Sequence, residues 1–255
     1  MLLVVLAALL SGSASTASPP PTMAALGDSV TRGFNTGFIP FRDAPSHSWA
    51  ASAAKRLQYG TAFNDAKDGA RMRDLPGQAT RAAGQGVDRV LILMGANDVC
   101  HGSVTAMTSV TRFRSDFEAA LRVFATLLPD ARIEVLSIPD LYRLWQIESG
   151  RFLARTAWWF LHLCDALLAN PRSTAPEDVA RRALVRDRLS AFNQVLSDAC
   201  AEYSQCTYDG GAAFQTRFGR GDISSRDFFH PSRSGQEKLA DVAWRTTLRE
   251  PAGAR

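Results

Sequence analysis

The sequence contains no apolar run long enough to cross a bilayer and no dense block of basic residues. The apolar run from Leu2 to Leu10 is much shorter than the roughly 20 residues that a spanning helix needs. The formal net charge is +4, and the arginines are spread along the 255 residues. This distribution gives little support to nucleic-acid binding and allows at most a weak, transient attraction to anionic lipid interfaces.

The sequence also lacks the cysteine and histidine spacings of zinc sites, and we expect neither a metal nor an organic cofactor. Its four cysteines permit three pairings. Cys200 and Cys206 flank a short loop that a disulfide could close, and Cys100 would then pair with Cys164 across a long segment. Two disulfides are typical of an exported protein, whereas four reduced, buried thiols are the alternative.

Basic residues are missing ahead of the first apolar run, although the rest of the N-terminal segment is typical of an export signal. The segment "MLLVVLAALLSGSASTASPPP" is an apolar stretch followed by small residues and prolines. A buried first strand is the alternative, but the small polar residues and prolines argue against it. We therefore expect residues 1–22 to be a signal peptide and Pro-rich linker, and the protein to be secreted.

Strand-like and helical patterns alternate along residues 23–255, which we interpret as one domain. The strand candidates are "TMAAL", "TAFNDA", "RVLILMG", "RIEVLSI" and "CTYDG". Helical patterns cover about 48–59, 74–85, 107–128 and 178–203, and the segment "RSGQEKLADVAWRTTL". This alternation predicts an α/β fold in which a central parallel five-stranded sheet has helices on both faces.

One segment, residues 141–176, interrupts this alternation. It is long for a connection and rich in large apolar side chains, with Trp158, Trp159 and Phe160 in a row. Long excursions of this kind often carry a lid or a substrate pocket. The alternative is that these aromatic residues pack a peripheral helix onto the core.

A serine, a histidine and an aspartate are candidates for a nucleophile, its base and the group that orients the base. Ser29 follows the first strand, at the carboxyl edge where open α/β sheets bind ligands. A serine hydroxyl needs a base to become a nucleophile, and His230 lies just before the last helix. Asp227, three residues earlier, can orient the His230 ring. The alternative is that Ser29 is only a helix cap.

Two further strand ends offer donors for an oxyanion. Gly69 follows the second strand and presents a backbone N–H, and Asn97 follows the third with a side-chain amide. Ordinary turn chemistry is the alternative for each. Among the other histidines, His101 also follows the third strand, while His47 and His162 lack a carboxylate at a useful spacing.

Four short blocks, "GDS" at 27–29, Gly69, "GAND" at 95–98 and "DFFHP" at 227–231, resemble in their order the four blocks of the SGNH (GDSL) hydrolases. The resemblance implies a flavodoxin-like three-layer α/β/α sandwich and ester hydrolysis through an acyl-enzyme. It implies Ser29, Asp227 and His230 as catalytic residues, and Ser29, Gly69 and Asn97 as the oxyanion hole. The strings "GANDVC" and "SIPDLYRLW" are similar to those of secreted bacterial lipases and phospholipases of this superfamily.

We therefore expect a monomeric, secreted serine hydrolase that cleaves carboxylic esters, with lipid or phospholipid acyl esters favoured by the apolar insertion. The Gly-x-Ser-x-Gly elbow of the α/β-hydrolases is absent. The second block carries charged residues around Gly69, and these charges could alter which substrate head group the site accepts. Alternatives are a carbohydrate acetyl esterase, in which exposed aromatics stack on sugars, and a non-catalytic binding module with the same fold.

Overall fold

The computed structural model describes residues 21–248. The predicted signal segment therefore lies outside the described residues, apart from Pro21 and Thr22 at its end.

Five parallel strands form a single sheet within the described part of the chain. They are β1 (Thr22–Gly27), β2 (Thr61–Asn64), β3 (Arg89–Leu93), β4 (Arg132–Val135) and β5 (Cys206–Tyr208). Their order across the sheet is β2-β1-β3-β4-β5, and each neighbouring pair is parallel. Because the chain moves from β1 to β2 on one side and then to β3 on the other, the strand order reverses beside β1. Such a reversal leaves a crevice at the carboxyl ends of the strands.

Helices connect these strands and cover both faces of the sheet. Within residues 21–248 the α-helices are α1 (Ser29–Arg32), α2 (Trp49–Arg56), α3 (Leu75–Gln85), α4 (Ala96–Val99), α5 (Val110–Leu127), α6 (Leu141–Glu148), α7 (Phe152–Leu161), α8 (Asp165–Leu168), α9 (Pro176–Ala201), α10 (Ala212–Gln215) and α11 (Arg233–Leu248). Segment 141–176 thus folds into α6, α7 and α8, and Pro176 begins α9.

Alternation along the buried strands divides the core into two parts. Ala24 and Leu26 of β1, together with Val90 and Ile92 of β3, belong to a cluster that includes α3, α5 and α9. The intervening residues, Met23, Ala25, Leu91 and Leu93, pack with α2 and α11. Because successive side chains of a strand point to opposite faces, a strand apolar at every position needs a helical layer on each side. The predicted three-layer α/β/α sandwich is confirmed.

Two disulfides join segments that pack in the same part of the core. Cys100, directly after α4, is bonded to Cys164, directly before α8, and Cys200 of α9 is bonded to Cys206 of β5. This is the pairing that the sequence favours. No helix of residues 21–248 combines the length and the apolar character that crossing a membrane requires.

The two disulfides should contribute unequally to stability. The Cys100–Cys164 bond has a sequence separation of 64, against 6 for Cys200–Cys206. Loop-closure entropy predicts a loss of about 4 kcal/mol of unfolding free energy for the Cys100→Ser/Cys164→Ser variant and about 2 kcal/mol for Cys200→Ser/Cys206→Ser. Urea unfolding of both variants under non-reducing conditions measures the difference. Equal losses would contradict the entropic explanation.

Candidate active site

Ser29 is the first residue of α1 and directly follows the turn that ends β1. The cap of α1 is Asp28, whose Oδ1 accepts a hydrogen bond from the Val30 backbone N–H at 2.9 Å. The Ser29 hydroxyl instead points at His230, with Oγ 2.9 Å from Nε2. Asp28, and not Ser29, therefore caps α1, and the alternative that Ser29 is only a helix cap is wrong.

Gly27 allows β1 to turn abruptly into α1. Its φ is +154°, and a Cβ added there would lie 2.3 Å from the carbonyl oxygen of Leu93 and 2.4 Å from Oγ1 of Thr31. The backbone N–H and C=O of Gly27 are both bonded by the side-chain amide of Gln78, at 2.8 and 2.9 Å. A residue with a side chain would have to push β3 or α1 away and would displace Ser29.

The loop before α11 supplies the histidine and the aspartate. His230 Nδ1 lies 2.7 Å from Oδ2 of Asp227, whose carboxyl is buried. Because a carboxylate only accepts, Nδ1 carries the proton and Nε2 is left as the acceptor for the Ser29 hydroxyl. Burial alone raises the pKa of Asp227, but hydrogen bonds from His230 and the Phe229 backbone outweigh it and lower that pKa below its ordinary value.

Asn35 is a site residue that the sequence reasoning missed. Its Nδ2 donates to Oδ2 of Asp227 at 2.5 Å, and its Oδ1 accepts from the Phe41 backbone N–H at 2.6 Å. Asn35 is buried and has φ +62°, a left-handed conformation that asparagine tolerates better than most residues. An asparagine just beyond the first block was the available signal, but its partner is 192 residues away in sequence.

The two predicted oxyanion donors lie on either side of Ser29. Gly69, with φ +70°, lies in the connection after β2, and Asn97 lies in α4 after β3. The Asn97 amide donates one N–H to the Ala70 carbonyl at 3.1 Å, and Asp98 accepts from the Met72 N–H at 2.9 Å. These bonds fix the Gly69 connection against α4. A primary amide has two N–H groups, so Asn97 keeps one for an oxygen in the site.

A cavity of about 270 Å³ brings these groups together. Ser29, Gly69, Asn97 and His230 all line it, as do the rings of Phe34 and Phe229 and the Cys100–Cys164 disulfide. A second, narrower cavity of about 60 Å³ also reaches His230. Its other lining residues are mostly apolar and include Val30, Leu141, Leu144, Phe218 and Ile223. The site thus has a polar compartment at the Ser29 hydroxyl and an apolar compartment beside it.

Segment 141–176 contributes to both compartments. Leu141 and Leu144 of α6 line the apolar cavity, and His162 and Leu163 line the polar one. In α7 the indole of Trp158 is buried and its Nε1 donates to the Phe228 carbonyl at 3.0 Å, whereas Trp159 and Phe160 are exposed. Core packing of a peripheral helix therefore explains only Trp158.

The remaining histidines lie in other surroundings. The expectation that His162 lacks a carboxylate at a useful spacing was wrong, because its Nδ1 lies 3.5 Å from Asp165, the first residue of α8. His47 contacts Arg233. Burial and the charges of Arg71 and Arg73 lower the pKa of His101, which does not line the Ser29 cavity. Within residues 21–248, no group of three or more His, Cys, Asp or Glu is arranged to hold a metal ion.

The buried carboxyl of Asp28 should make the protein less stable as the pH rises. Burial raises the pKa of Asp28 from 3.8 to about 7. Below pH 4 the folded and unfolded chains both hold the proton. Between pH 4 and 7 only the folded chain keeps it, so the free energy of unfolding falls.

The Asp28→Asn variant keeps the capping oxygen and removes this titration. The unfolding free energy of the variant minus that of the wild type should be about 2–4 kcal/mol larger at pH 8 than at pH 4. Urea unfolding at both pH values provides the measurement. Asp130→Asn, at an exposed turn before β4, is the matched control. If the difference in unfolding free energy between Asp28→Asn and the wild type were the same at both pH values, the raised pKa of Asp28 would be refuted.

The model of the GDSL-like lipase/acylhydrolase family matches residues 25–238. Human phospholipase B1, a membrane-associated protein, is 26% identical over 224 residues, which cover 76% of this chain. The matched chain spans only 14% of the length of that relative.

Solved structures of similar fold include a lipase/acylhydrolase from Enterococcus faecalis, at 15% identity and a TM-score of 0.55 over 91% of this chain and 98% of the other. A carbohydrate esterase family 2 enzyme with a carbohydrate-binding domain, from Corynascus thermopiles, is 14% identical with a TM-score of 0.57, over 91% of this chain and 67% of the other. Identities this low bear on the fold alone. With its family model matched over most of its length, the chain belongs to the GDSL-like lipase/acylhydrolase family.

Proposed function

We propose that residues 23–255 form one secreted catalytic domain that hydrolyses lipid acyl esters through Ser29, His230 and Asp227. The observation that carries the proposal is the hydrogen-bonded series Ser29–His230–Asp227, which opens on one side to an apolar cavity. The apolar cavity accommodates an acyl chain, and the polar cavity accommodates the ester carbonyl and the alcohol part. The similarity to a phospholipase supports a lipid substrate.

In the proposed reaction, His230 Nε2 takes the proton of the Ser29 hydroxyl as Oγ attacks the ester carbonyl. The negative charge that forms on the carbonyl oxygen is stabilised by the N–H groups of Ser29 and Gly69 and by the free N–H of Asn97. The Ser29 N–H is available because the first N–H groups of a helix have no partner within it. Such donors each lower the barrier by about 3–4 kcal/mol.

His230 then donates its proton to the departing alcohol, which leaves an acyl group on Ser29. Water attacks this acyl-enzyme while His230 again acts as base, and the carboxylic acid is released. Throughout the cycle the Asp227 carboxylate stabilises the positive charge on the His230 ring. The low pKa of Asp227 supports this role, because the group stays ionised when the ring is charged.

The proposed secretion rests on the two disulfides and on residues 1–22, nearly all of which lie outside the described structure. Disulfides persist in oxidising compartments outside the cytosol. The expected monomeric state stays a prediction.

Initial rates on nitrophenyl esters from acetyl to palmitoyl test both the nucleophile and the substrate class. We expect medium-chain esters to be cleaved faster than acetyl esters, because burying a longer acyl chain in the apolar cavity beside His230 removes more apolar surface from water. Ser29→Ala should lower every rate by at least about a thousandfold. Leu144→Phe, which fills the apolar cavity, should shift the optimum to shorter chains, with Leu127→Phe on the exposed face of α5 as control.

An acetyl optimum would favour the carbohydrate acetyl esterase. Rates that are unaffected by Ser29→Ala would refute the nucleophile. If the wild type hydrolyses none of these nitrophenyl esters, it should be treated with a fluorophosphonate label. Failure of the label to react with Ser29 would support the non-catalytic binding module.

Asn35 is proposed to position Asp227, and a matched pair of variants separates this role from a structural one. Asn35→Gly removes the amide and suits the left-handed backbone, and Asn35→Asp keeps an acceptor for Phe41 but puts a carboxylate against Asp227. A hydrogen bond to a charged group contributes about 1.5–3 kcal/mol. We expect kcat to fall about tenfold or more in Asn35→Gly and further in Asn35→Asp, with KM nearly constant.

The pH profile of kcat/KM shows whether the loss of activity in the Asn35 variants comes from a changed interaction between Asp227 and His230. Without the Asn35 N–H the Asp227 carboxylate becomes a stronger acceptor for the His230 ring, so the acid limb of the profile should move to higher pH. A loss of activity with an unchanged acid limb would assign Asn35 to the fold of its loop only.

A further inference from the structure

Large apolar side chains that are strongly exposed concentrate in two segments of the described chain. One is the loop 38–41, in which Phe38 is 94% exposed. The other is the outer face of α7, in which Trp159 is 74% and Phe160 is 73% exposed. The set comprises Phe38, Ile39 and Phe41 in the loop, and Phe152, Leu153, Trp159, Phe160 and Leu161 in α7. We call these eight residues the apolar rim.

Both parts of the apolar rim are attached to the loop that carries Asp227 and His230. The Arg226 guanidinium donates to the backbone carbonyls of Phe38 and Ile39, at 2.9 and 3.0 Å. On the α7 side, Trp158 Nε1 donates to the Phe228 carbonyl, and the Arg151 guanidinium lies 4.8 Å from the centre of the Phe228 ring. The apolar rim is thus fastened at residues 226 and 228, next to Asp227.

The apolar rim also reaches the mouth of the Ser29 cavity. Immediately after α7, His162 and Leu163 line that cavity, and Cys164 closes the disulfide with Cys100 beside it. On the other side, Phe34 lines the cavity and its ring lies 4.8 Å from the ring of His230. A surface that covers the apolar rim would therefore face the opening next to Ser29.

The charged side chains within the two rim segments are cations. Residues 34–42 and 149–164 contain no Asp or Glu, and their ionisable residues are Arg42, Arg151, Arg155 and His162. The nearest acidic residues in the sequence, Asp43, Glu148 and Asp165, lie at the segment borders, where Glu148 pairs with Arg151 and Asp165 with His162. Arg226 adds another cation beneath the loop 38–41. A helix with Trp, Phe and Leu on one face and arginines beside them is typical of helices that lie in the interface of a membrane. Cations near such a face are attracted by anionic head groups.

We propose that the apolar rim docks the protein onto an anionic phospholipid surface, with Trp159, Phe160 and Phe38 inserted among the acyl chains. The inference rests on the proposed function only in that it gives the lipid ester a route from the surface into the Ser29 cavity. A second copy of the chain would cover the same side chains without needing the arginines, so the surrounding cations favour lipid.

Vesicles made of ether-linked phosphatidylglycerol test the docking without acyl hydrolysis, because they contain no carboxylic ester to cleave. The wild type should co-sediment with them and show a blue shift of tryptophan emission. It should bind ether-linked phosphatidylcholine less tightly, and 1 M salt should weaken the binding to phosphatidylglycerol by screening. Trp159→Ser/Phe160→Ser and Phe38→Ser/Ile39→Ser should each lower the partition constant by at least about tenfold.

Leu184→Ser is the matched control, since Leu184 of α9 is an exposed apolar residue outside the rim, and it should bind as the wild type does. Thermal unfolding confirms that each variant is folded. Binding that survives both rim variants, or that falls equally in Leu184→Ser, would overturn the proposal. So would a lipid-free dimer that the rim variants dissociate, because the rim would then be an interface between copies.

The outcome separates docking from catalysis. If the wild type binds ether-lipid vesicles through the rim but no ester is cleaved in a Ser29-dependent way, the proposed function fails and the docking stands. If the ester series succeeds and the vesicles are not bound, only the docking is refuted.

Discussion

The buried carboxylate of Asp227 accepts hydrogen bonds from Asn35 and from the ring and backbone of His230, and these bonds connect parts of the chain that are far apart in sequence. A carboxylate removed from water is costly unless donors surround it. Satisfying Asp227 therefore draws the loop after α1 and the segment before α11 into one arrangement. With the ring of His230 held in this way, its Nε2 faces the Ser29 hydroxyl at 2.9 Å.

Around this centre the sheet supplies a rigid edge. The register pairs Gly27 with Leu93, so β1 and β3 end side by side and deliver Ser29 and Asn97 to the same crevice. The Gly69 connection is held there by hydrogen bonds to Asn97 and Asp98. The donors proposed for the oxyanion are thus positioned by backbone and buried side chains, which lets them act without reorganisation when charge develops.

Segment 141–176 adds two apolar features to the proposed catalytic site. Its first helix lines a narrow apolar cavity at His230, and its second exposes aromatic residues beside the polar cavity. Both features are joined to the Asp227–His230 loop, through Phe229 in the apolar cavity and through Phe228 under α7. An acyl chain in the cavity and a lipid surface at α7 would therefore both lie next to the loop that carries the proposed base.

Local patterns in the sequence were sufficient for the fold class and for the family. Strand-helix alternation and apolar runs such as "RVLIL" determine a parallel sheet covered on both faces, because strands of this kind need two apolar layers. The first three of the four short blocks predict Ser29, Gly69 and Asn97 at one edge, since parallel strands end there, and the fourth adds Asp227 and His230 from the loop before α11. Only the tertiary structure decided that Asn35 bonds Asp227, that Asp28 and not Ser29 caps α1, and that Trp158 is buried while Trp159 is exposed. These outcomes depend on which side chains meet across long sequence separations, and no periodicity in the sequence encodes such contacts.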